Sequence, residues 1–279
     1  MLPTLGKKIL GRIGFGAMRL PGMRDVPADA ELARNLLSRA VALGANVIDT
    51  ADYYGSGLAN RLIAEALSPY AENLIVATKV GVKAGAGGRL EPAATPDEIR
   101  AAIDRNLETL EVQAIDLVFL RLAGGPLADS GVPIQESLEC LANLQQQGLI
   151  KHVGLSSVTV DQLELASTVV PIEAVQNVYF IGNTTSKEVL LKCNSTNIPF
   201  FSYFPLGMGK LIPEKANLGA LAATHNVTEP QIALAWLLAL SPMMVPIPGT
   251  SQLNHLEENM AAVNISLSSD EISALCDVV

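Results

Sequence analysis

Eight short apolar runs recur along the chain, each separated from the next by a segment with helical signals. This alternation constrains the fold more than any other feature of the sequence. The runs are Ile13–Ala17, Asn46–Asp49, Leu74–Lys79, Leu117–Arg121, Val153–Ser156, Ala174–Val178, Phe200–Phe204 and Met244–Pro248. Most are continuous rather than alternating, as expected for parallel strands covered by helices. Between them, Thr95-Pro96-Asp97-Glu98 reads as a capping box with proline at the first helical position. Ile99, Ile103, Leu107 and Leu110 then form one apolar stripe. Thr159 with Gln162, Thr228 with Gln231 and Ser268 with Glu271 repeat the start signal. Gly44 and Gly148 stop two helices just before the next strand. Eight strand–helix units predict an α/β chain folded as a (β/α)8 TIM barrel, a single domain over residues 1–279. The competing doubly wound sheet would want G-x-G-x-x-G after an early strand, and Gly11, Gly14 and Gly16 lack that spacing. Leu5–Arg12 reads as a small hairpin closing the barrel floor.

Composition narrows the partners. The chain has 279 residues, 49% of them hydrophobic and 17% charged, with a formal net charge of -9. The apolar fraction is ample for a buried core. The acidic balance repels phosphate backbones, so no nucleic-acid partner is expected. Cys140, Cys193 and Cys276 lack metal-ligand spacing and read as buried thiols in a reducing compartment, and no metal is expected. The N-terminus carries charges where a signal peptide needs an apolar run. The most apolar stretch, Ile232 to Pro248, is interrupted by Pro242 and Pro246 and is too short to span a bilayer. The expectation is a soluble, cytoplasmic protein with no membrane partner; the oligomeric state stays open.

Barrel enzymes place their chemistry at the C-terminal ends of the strands. Six polar residues end apolar runs here: Asp49, Lys79, Arg121, Ser156, Gln176 and Tyr203. Strand ends are often polar because loops are wet. A lysine, an arginine and an aspartate converging on one rim fit that explanation less well. Asp49 and Lys79 fall on adjacent strands, as a structural ion pair or as part of a site. Tyr54 lies five residues beyond Asp49. A free tyrosine has a pKa of about 10. A nearby ammonium favours the phenolate and lowers that value, and Asp49 would hold the lysine in place. The result is a proton donor suited to a carbonyl oxygen that receives a hydride on its carbon.

With these residues in view, the sequence resembles the aldo-keto reductases over nearly its full length. Asp49-Thr50-Ala51-Asp52-Tyr53-Tyr54-Gly55 is similar to the family's Asp-Thr-Ala-x-x-Tyr-Gly segment, and Ala77-Thr78-Lys79 to its lysine strand end. Val153-Gly154-Leu155-Ser156-Ser157, Val175-Gln176-Asn177 and Tyr203-Phe204-Pro205-Leu206-Gly207 resemble its cofactor segments. Ile247-Pro248-Gly249-Thr250, followed by Glu258-Asn259, resembles its adenosine-end signature. The resemblance implies reduction of a small aldehyde or ketone, with Tyr54 as general acid and Lys79 and Asp49 tuning it. It further implies that Ser156 and Gln176 hold the nicotinamide carboxamide and that Tyr203 stacks on the ring. Gly16, Ala17, Leu206 and Gly207 would line the cofactor, and Gly249, Thr250, His255, Glu258 and Asn259 its adenosine end. Asp52 and Tyr53 read as surface or packing positions.

The departures carry their own expectations. The family usually has a histidine where Phe119-Leu120-Arg121-Leu122 puts Arg121. None of His152, His225 and His255 can replace it. Ser157 stands where asparagine is common, and Phe204 replaces a serine near the pyrophosphate. Arg121 with the Phe-Pro-Leu-Gly strand end is similar to bacterial pyridoxal reductases, which implies a pyridoxal-like or other anionic aldehyde. NADPH is the expected cofactor. NADH can also serve, because Gly249 and His255 stand where NADPH-preferring members carry lysine and arginine. The missing histidine leaves an alternative, a nicotinamide-binding regulatory module with little turnover. Gly81–Ala94 and Ala123–Val132 read as glycine-rich, mobile substrate loops, where Lys83 and Arg89 are solvated charges or substrate contacts.

Overall fold

The computed structural model describes residues 2–23, 26–27, 29–86, 89–122, 133–209 and 217–276. Each of the eight apolar runs overlaps a strand: Phe15–Gly16 (β1), Val47–Asp49 (β2), Ile75–Ala84 (β3), Ile115–Arg121 (β4), Ile150–Ser156 (β5), Ile172–Val178 (β6), Phe200–Tyr203 (β7) and Met244–Pro246 (β8). They pair in parallel in chain order. Two bonds close the ring: Gly14 N–H donates to Pro246 O at 2.9 Å and Gly16 N–H to Pro248 O at 3.2 Å. The fold is the expected (β/α)8 barrel.

Ten helices are described: Ala30–Ala42 (α1), Leu58–Leu67 (α2), Pro96–Leu110 (α3), Ile134–Gln146 (α4), Val160–Ser167 (α5), Lys187–Thr196 (α6), Leu218–His225 (α7), Glu229–Leu240 (α8), Leu253–Ala261 (α9) and Ser269–Cys276 (α10). The units are not uniform: two described helices, α7 and α8, separate β7 from β8, and two more follow β8. The start signals act as read. Glu98 N donates to Thr95 Oγ1 and Thr95 N to Glu98 Oε2, both at 3.3 Å. Thr159 with Gln162, Thr228 with Gln231 and Ser268 with Glu271 form the same reciprocal caps. The apolar stretch from Ile232 is a core helix followed by β8; Trp236 is 1% exposed. No described helix is long and apolar enough to cross a membrane.

Side chains on a strand alternate in direction, and this parity builds the site. Val47, Ile75, Ala77, Leu117, Phe119, Ala174, Phe201 and Val245 fill the barrel interior in one apolar cluster, with Leu5 and Leu10 as its floor. Their neighbours Ile48, Val76, Val118, Val153, Val175 and Phe200 belong to the larger cluster under the helices. Two residues beyond an inward Val47, Ala77, Phe119, Gly154, Ala174 or Phe201, the chain places Asp49, Lys79, Arg121, Ser156, Gln176 or Tyr203. The polar set is therefore the last inward layer of the barrel.

Gly154 is needed for that packing. A Cβ there would meet Phe119 Cδ1 at 2.6 Å and Ala174 O at 2.9 Å. The absent side chain leaves room for the Phe119 ring, which packs edge-on against Phe201 at 5.5 Å between centroids. At the floor, Thr4–Leu5 pairs antiparallel with Lys8–Ile9, as the hairpin expectation had it.

Three expectations are corrected. Gly81–Ala94 is not a mobile loop over its described part. β3 runs on to Ala84 and returns as the antiparallel strand Leu90–Ala93, and exposed Lys83 pairs with Glu98 at 3.1 Å. Continuous ladder bonds give this segment a partner that glycine content alone did not suggest. The cysteines are not uniformly buried: Cys193 is buried, Cys140 half-buried and Cys276 exposed on the last helix; all three are free. The third concerns Lys79 and is taken up with the site. The loop Ala123–Val132 lies outside the described residues.

Candidate active site

The turn after β2 carries Tyr54 to the rim. Thr50 N donates to Ala77 O at 2.8 Å and Tyr54 N to Ala51 O at 3.0 Å. Gly55 follows at φ +58, where a Cβ would strike Pro21. A buried polar chain holds the turn from behind. Thr50 Oγ1 donates to Asn60 Oδ1 at 2.8 Å, Asn60 Nδ2 to Asn106 Oδ1 at 2.9 Å, and Thr78 Oγ1 to the same Asn106 oxygen at 2.7 Å. All four residues are fully buried. Paired polar groups of this kind fix a single arrangement, because an unmet partner would be costly. Asp52 is clamped by Arg105 at 2.8 Å, so its structural reading stands.

Inside the barrel, Lys79 is 1% exposed and Asp49 4%. Lys79 Nζ donates to Asp49 Oδ1 at 2.9 Å, to Asp49 Oδ2 at 2.8 Å and to Thr50 O at 2.8 Å. Gln176 Nε2 donates to Asp49 Oδ1 at 2.7 Å. An ammonium has three protons, and all three are engaged away from Tyr54. Lys79 meets the tyrosine only through the ring face, with Nζ 4.9 Å from the centroid.

This geometry corrects the expectation that Lys79 lowers the Tyr54 pKa. Burial pushes the Tyr54 hydroxyl well above the ordinary tyrosine range, and the Asp49 carboxylate adds to the rise. The cation that pulls it back is Arg121. Tyr54 is thus held as the protonated phenol, the form a general acid requires.

Arg121 stacks its guanidinium over Tyr203, with Cζ 5.2 Å from the ring centroid. Burial works against its charge, but the facing Tyr53, Tyr203, Tyr54 and Asp49 outweigh that, and its pKa is raised. Its Nε is buried without a hydrogen-bond partner among the described residues. None of the ion pairs among the described residues involves it. Tyr203 is fixed from its other end, its hydroxyl 3.1 Å from Ser157 Oγ. Ser157 sits at φ +63.

A cavity of about 500 Å³ opens above this layer and runs along the ends of β1, β7 and β8. Of the residues expected from the sequence, Asp49, Tyr54, Gly16, Tyr203, Leu206, Gly249, Thr250, His255, Glu258 and Asn259 line it. Ala17 and Gly207 are buried behind it. Ser156, Gln176 and Lys79 are buried in the barrel top, where Ser156 Oγ lies 3.5 Å from Gln176 Oε1. Gly16 and Gly249 let two loops touch: a Cβ on Gly249 would come 2.5 Å from Gly16 O. The β7 loop holds Phe204 at φ +51 and Met208 at φ +55, conformations that cost energy for such side chains and that gather at functional sites. Thr250 Oγ1 accepts from Gln252 N at 3.1 Å and opens α9, whose first-turn amides face an anion favourably. Glu257 points elsewhere, bound to Arg39 at 2.7 Å.

The profile of the Aldo/keto reductase family matches residues 12–279. The chain belongs to that family. Escherichia coli (strain K12) pyridoxine 4-dehydrogenase is 41% identical over 98% of this chain and 96% of its own length. An uncharacterized oxidoreductase of Schizosaccharomyces pombe is 38% identical over 97% and 87%. A thermostable aldo-keto reductase crystallised with the inhibitor epalrestat superposes with a TM-score of 0.87 at 29% identity, over all of both chains. As an aldo/keto reductase the protein is a nicotinamide-dependent oxidoreductase acting on small carbonyl compounds. The residues along its cavity fit a dinucleotide: Tyr203 offers a ring face, the segment Thr250 to Gln252 leads into the α9 N-terminus, and Arg19 supplies a cation.

None of the three histidines of this aldo/keto reductase lies beside Tyr54. His152 pairs with Glu173 at 2.8 Å against the floor hairpin, His225 pairs with Glu271, and His255 lines the far end of the cavity. Sequence reasoning missed Arg19, Ser157, Tyr53 and the Thr50–Asn60–Asn106–Thr78 chain. One signal was available. Asn106 falls in helical register with Ile99, Ile103 and Leu110, a polar residue on an apolar stripe.

Proposed function

We propose that this protein reduces an aldehyde carrying an adjacent anionic or acidic oxygen, of the pyridoxal type, with NADPH, and that Tyr54 is its proton donor. The observation that carries this is the Tyr54 side chain on the lining of the cavity, with the Arg121 guanidinium stacked over Tyr203, another lining residue. The printed activity of the Escherichia coli relative points to the same substrate class. The bound cofactor supplies the hydride.

The protein's residues do the rest. The substrate carbonyl oxygen accepts a hydrogen bond from Tyr54 Oη. As hydride reaches the carbonyl carbon, the C=O π pair moves onto oxygen and the Tyr54 proton follows, giving the alcohol and a phenolate. Arg121, with five donors in a fixed fork, stabilises that developing charge and clamps the second oxygen. Lys79 lies under the Tyr54 ring, kept in place by Asp49 and Thr50, and Gln176 braces Asp49. Solvent returns the proton. Ser156 and Gln176 would hold the carboxamide, and Tyr203 would stack on the nicotinamide. Gly16, Ala17, Leu206 and Gly207 would shape the walls, and Gly249, Thr250, His255, Glu258 and Asn259 would take the adenosine end. The opening of α9, His255 and the engagement of Glu257 by Arg39 leave room for a 2′-phosphate, which favours NADPH.

The test follows the absorbance of the reduced cofactor during turnover of pyridoxal, benzaldehyde and a simple ketone, with NADPH and with NADH. The expected order is pyridoxal fastest and NADPH preferred. Absence of turnover with every carbonyl would end the reductase proposal, and a tenfold preference for NADH would overturn the cofactor assignment.

A further inference from the structure

The Tyr53 hydroxyl is buried against the Tyr54 side chain and, among the described residues, has no partner in full hydrogen-bond geometry. Its ring meets that of Tyr54 edge-on, 5.1 Å between centroids and 85° apart. The groups facing it are those of the reaction layer: Tyr54, Lys79, Arg121 and Asp49. Arg121 Nε is equally buried and has no partner among the described residues. A phenol and a guanidinium N–H can bond each other, so two orphans on neighbouring side chains mean that neither hydrogen is engaged by the other. Buried polar groups in native proteins are nearly always paired, and leaving one unmet costs free energy. Two unmet donors packed beside the proton donor, behind the Tyr54 and Tyr203 rings that line the cavity, describe a subsite that a ligand oxygen completes.

We propose that Tyr53 is a specificity-determining residue that, together with Arg121 Nε, donates to a second substrate oxygen on the carbon next to the one bearing the carbonyl. The inference rests on the reductase reading and extends it. The proximity of Tyr53 to Tyr54 places an atom bound to both donors near the reacting carbonyl, so the subsite reads an ortho-hydroxyl or phenolate rather than a distant acid. Burial holds Tyr53 protonated, with the Asp49 carboxylate adding to it against the pull of Lys79 and Arg121. It therefore donates and does not compete as a negative charge. A substrate without this oxygen leaves both donors unmet, and that deficit discriminates against it.

The experiment compares wild type and Tyr53→Phe on two aldehydes that differ only in the ortho oxygen, salicylaldehyde and benzaldehyde. The phenylalanine keeps the ring and its edge contact with Tyr54. Expected is a loss of about tenfold or more in kcat/KM on salicylaldehyde, chiefly through KM, with benzaldehyde changed by less than about threefold. Equal losses on both aldehydes, or no loss on either, would overturn the assignment. Should the wild type reduce neither aldehyde, the reductase reading falls, and calorimetric binding of salicylaldehyde in the presence of oxidised cofactor decides the subsite separately. A dissociation constant about tenfold weaker in the variant sustains it. An unchanged constant, or no binding to either protein, removes it.

Discussion

Replacing Arg121 with methionine removes the fork and the charge while keeping an apolar stem over Tyr203. Three features of the site set the magnitude. The guanidinium sits 5.2 Å from the Tyr203 ring centroid, its Nε has no partner among the described residues, and it is the cation that opposes the rise of the Tyr54 pKa. A hydrogen bond to a charged group contributes roughly 1.5–3 kcal/mol. An anionic aldehyde that loses it should therefore slow roughly ten- to hundredfold in kcat/KM. A neutral aldehyde loses only the stabilisation of the nascent Tyr54 phenolate and slows less. Initial rates of cofactor oxidation with pyridoxal and with benzaldehyde, wild type against Arg121→Met, measure the two losses separately. Equal losses would leave Arg121 the single task of stabilising charge on Tyr54. No loss on either substrate would refute the substrate-clamp argument, and the pyridoxal-like assignment would lose its structural support.

Three further outcomes are expected. Tyr54→Phe removes only the proton donor, so kcat should fall about 10²–10⁴-fold while cofactor binding, followed by fluorescence titration, survives; near-normal turnover would end the tyrosine-acid mechanism. Gly154→Ala forces a methyl against the Phe119 ring and Ala174 O, and urea unfolding should show a loss of about 1–3 kcal/mol; an unchanged midpoint would mean that the barrel interior yields more easily than its packing implies. Burial raises the pKa of Tyr53, Tyr54, Tyr70 and Tyr179, the last to about 12. The unfolded chain gives up these protons near pH ~10 while the folded one keeps them. The unfolded state then binds fewer protons, and stability falls as pH rises past that point. Urea midpoints that stay flat from about pH 9 to about pH 11 would contradict the four shifts.

The barrel was legible because its cues are local. Most strands hold a continuous apolar run such as Leu117–Leu120, and four helix starts carry their own reciprocal cap, as at Thr95 and Glu98. The inward polar layer was legible for the same reason: strand parity carries it, and parity survives without any knowledge of neighbours. The use each proton is put to was not legible. Lys79 could be placed beside Asp49, but that its third proton goes to Thr50 O depends on the backbone path of the following turn. Tyr53 was taken for packing because a residue adjacent to a functional one in a turn has no periodicity to orient it. The segment Gly81–Ala94 misled for a similar reason, since glycines mark turns and hairpins as well as loops without partners.

The site's charge balance explains why an arginine can stand where the family usually has a histidine. Lys79 and Asp49 are bound oxygen to nitrogen at 2.8 and 2.9 Å and cancel within the barrel. With a neutral histidine the reaction layer would carry no net charge, and the negative charge formed on Tyr54 would rest on dipoles alone. With Arg121 the layer carries one positive charge before reaction. An isolated buried charge is costly, and here tyrosine rings and the nearby Asp49 carboxylate offset that cost. A substrate bearing an anionic oxygen neutralises the layer on binding, so the exchange strengthens ground-state recognition of anionic aldehydes. A neutral substrate leaves the charge unmet until the phenolate forms. On the proposed substrate reading, the same substitution is expected to tilt specificity toward anionic aldehydes through KM and to support neutral ones only through kcat, a division that the Arg121→Met and Tyr53→Phe kinetics can resolve.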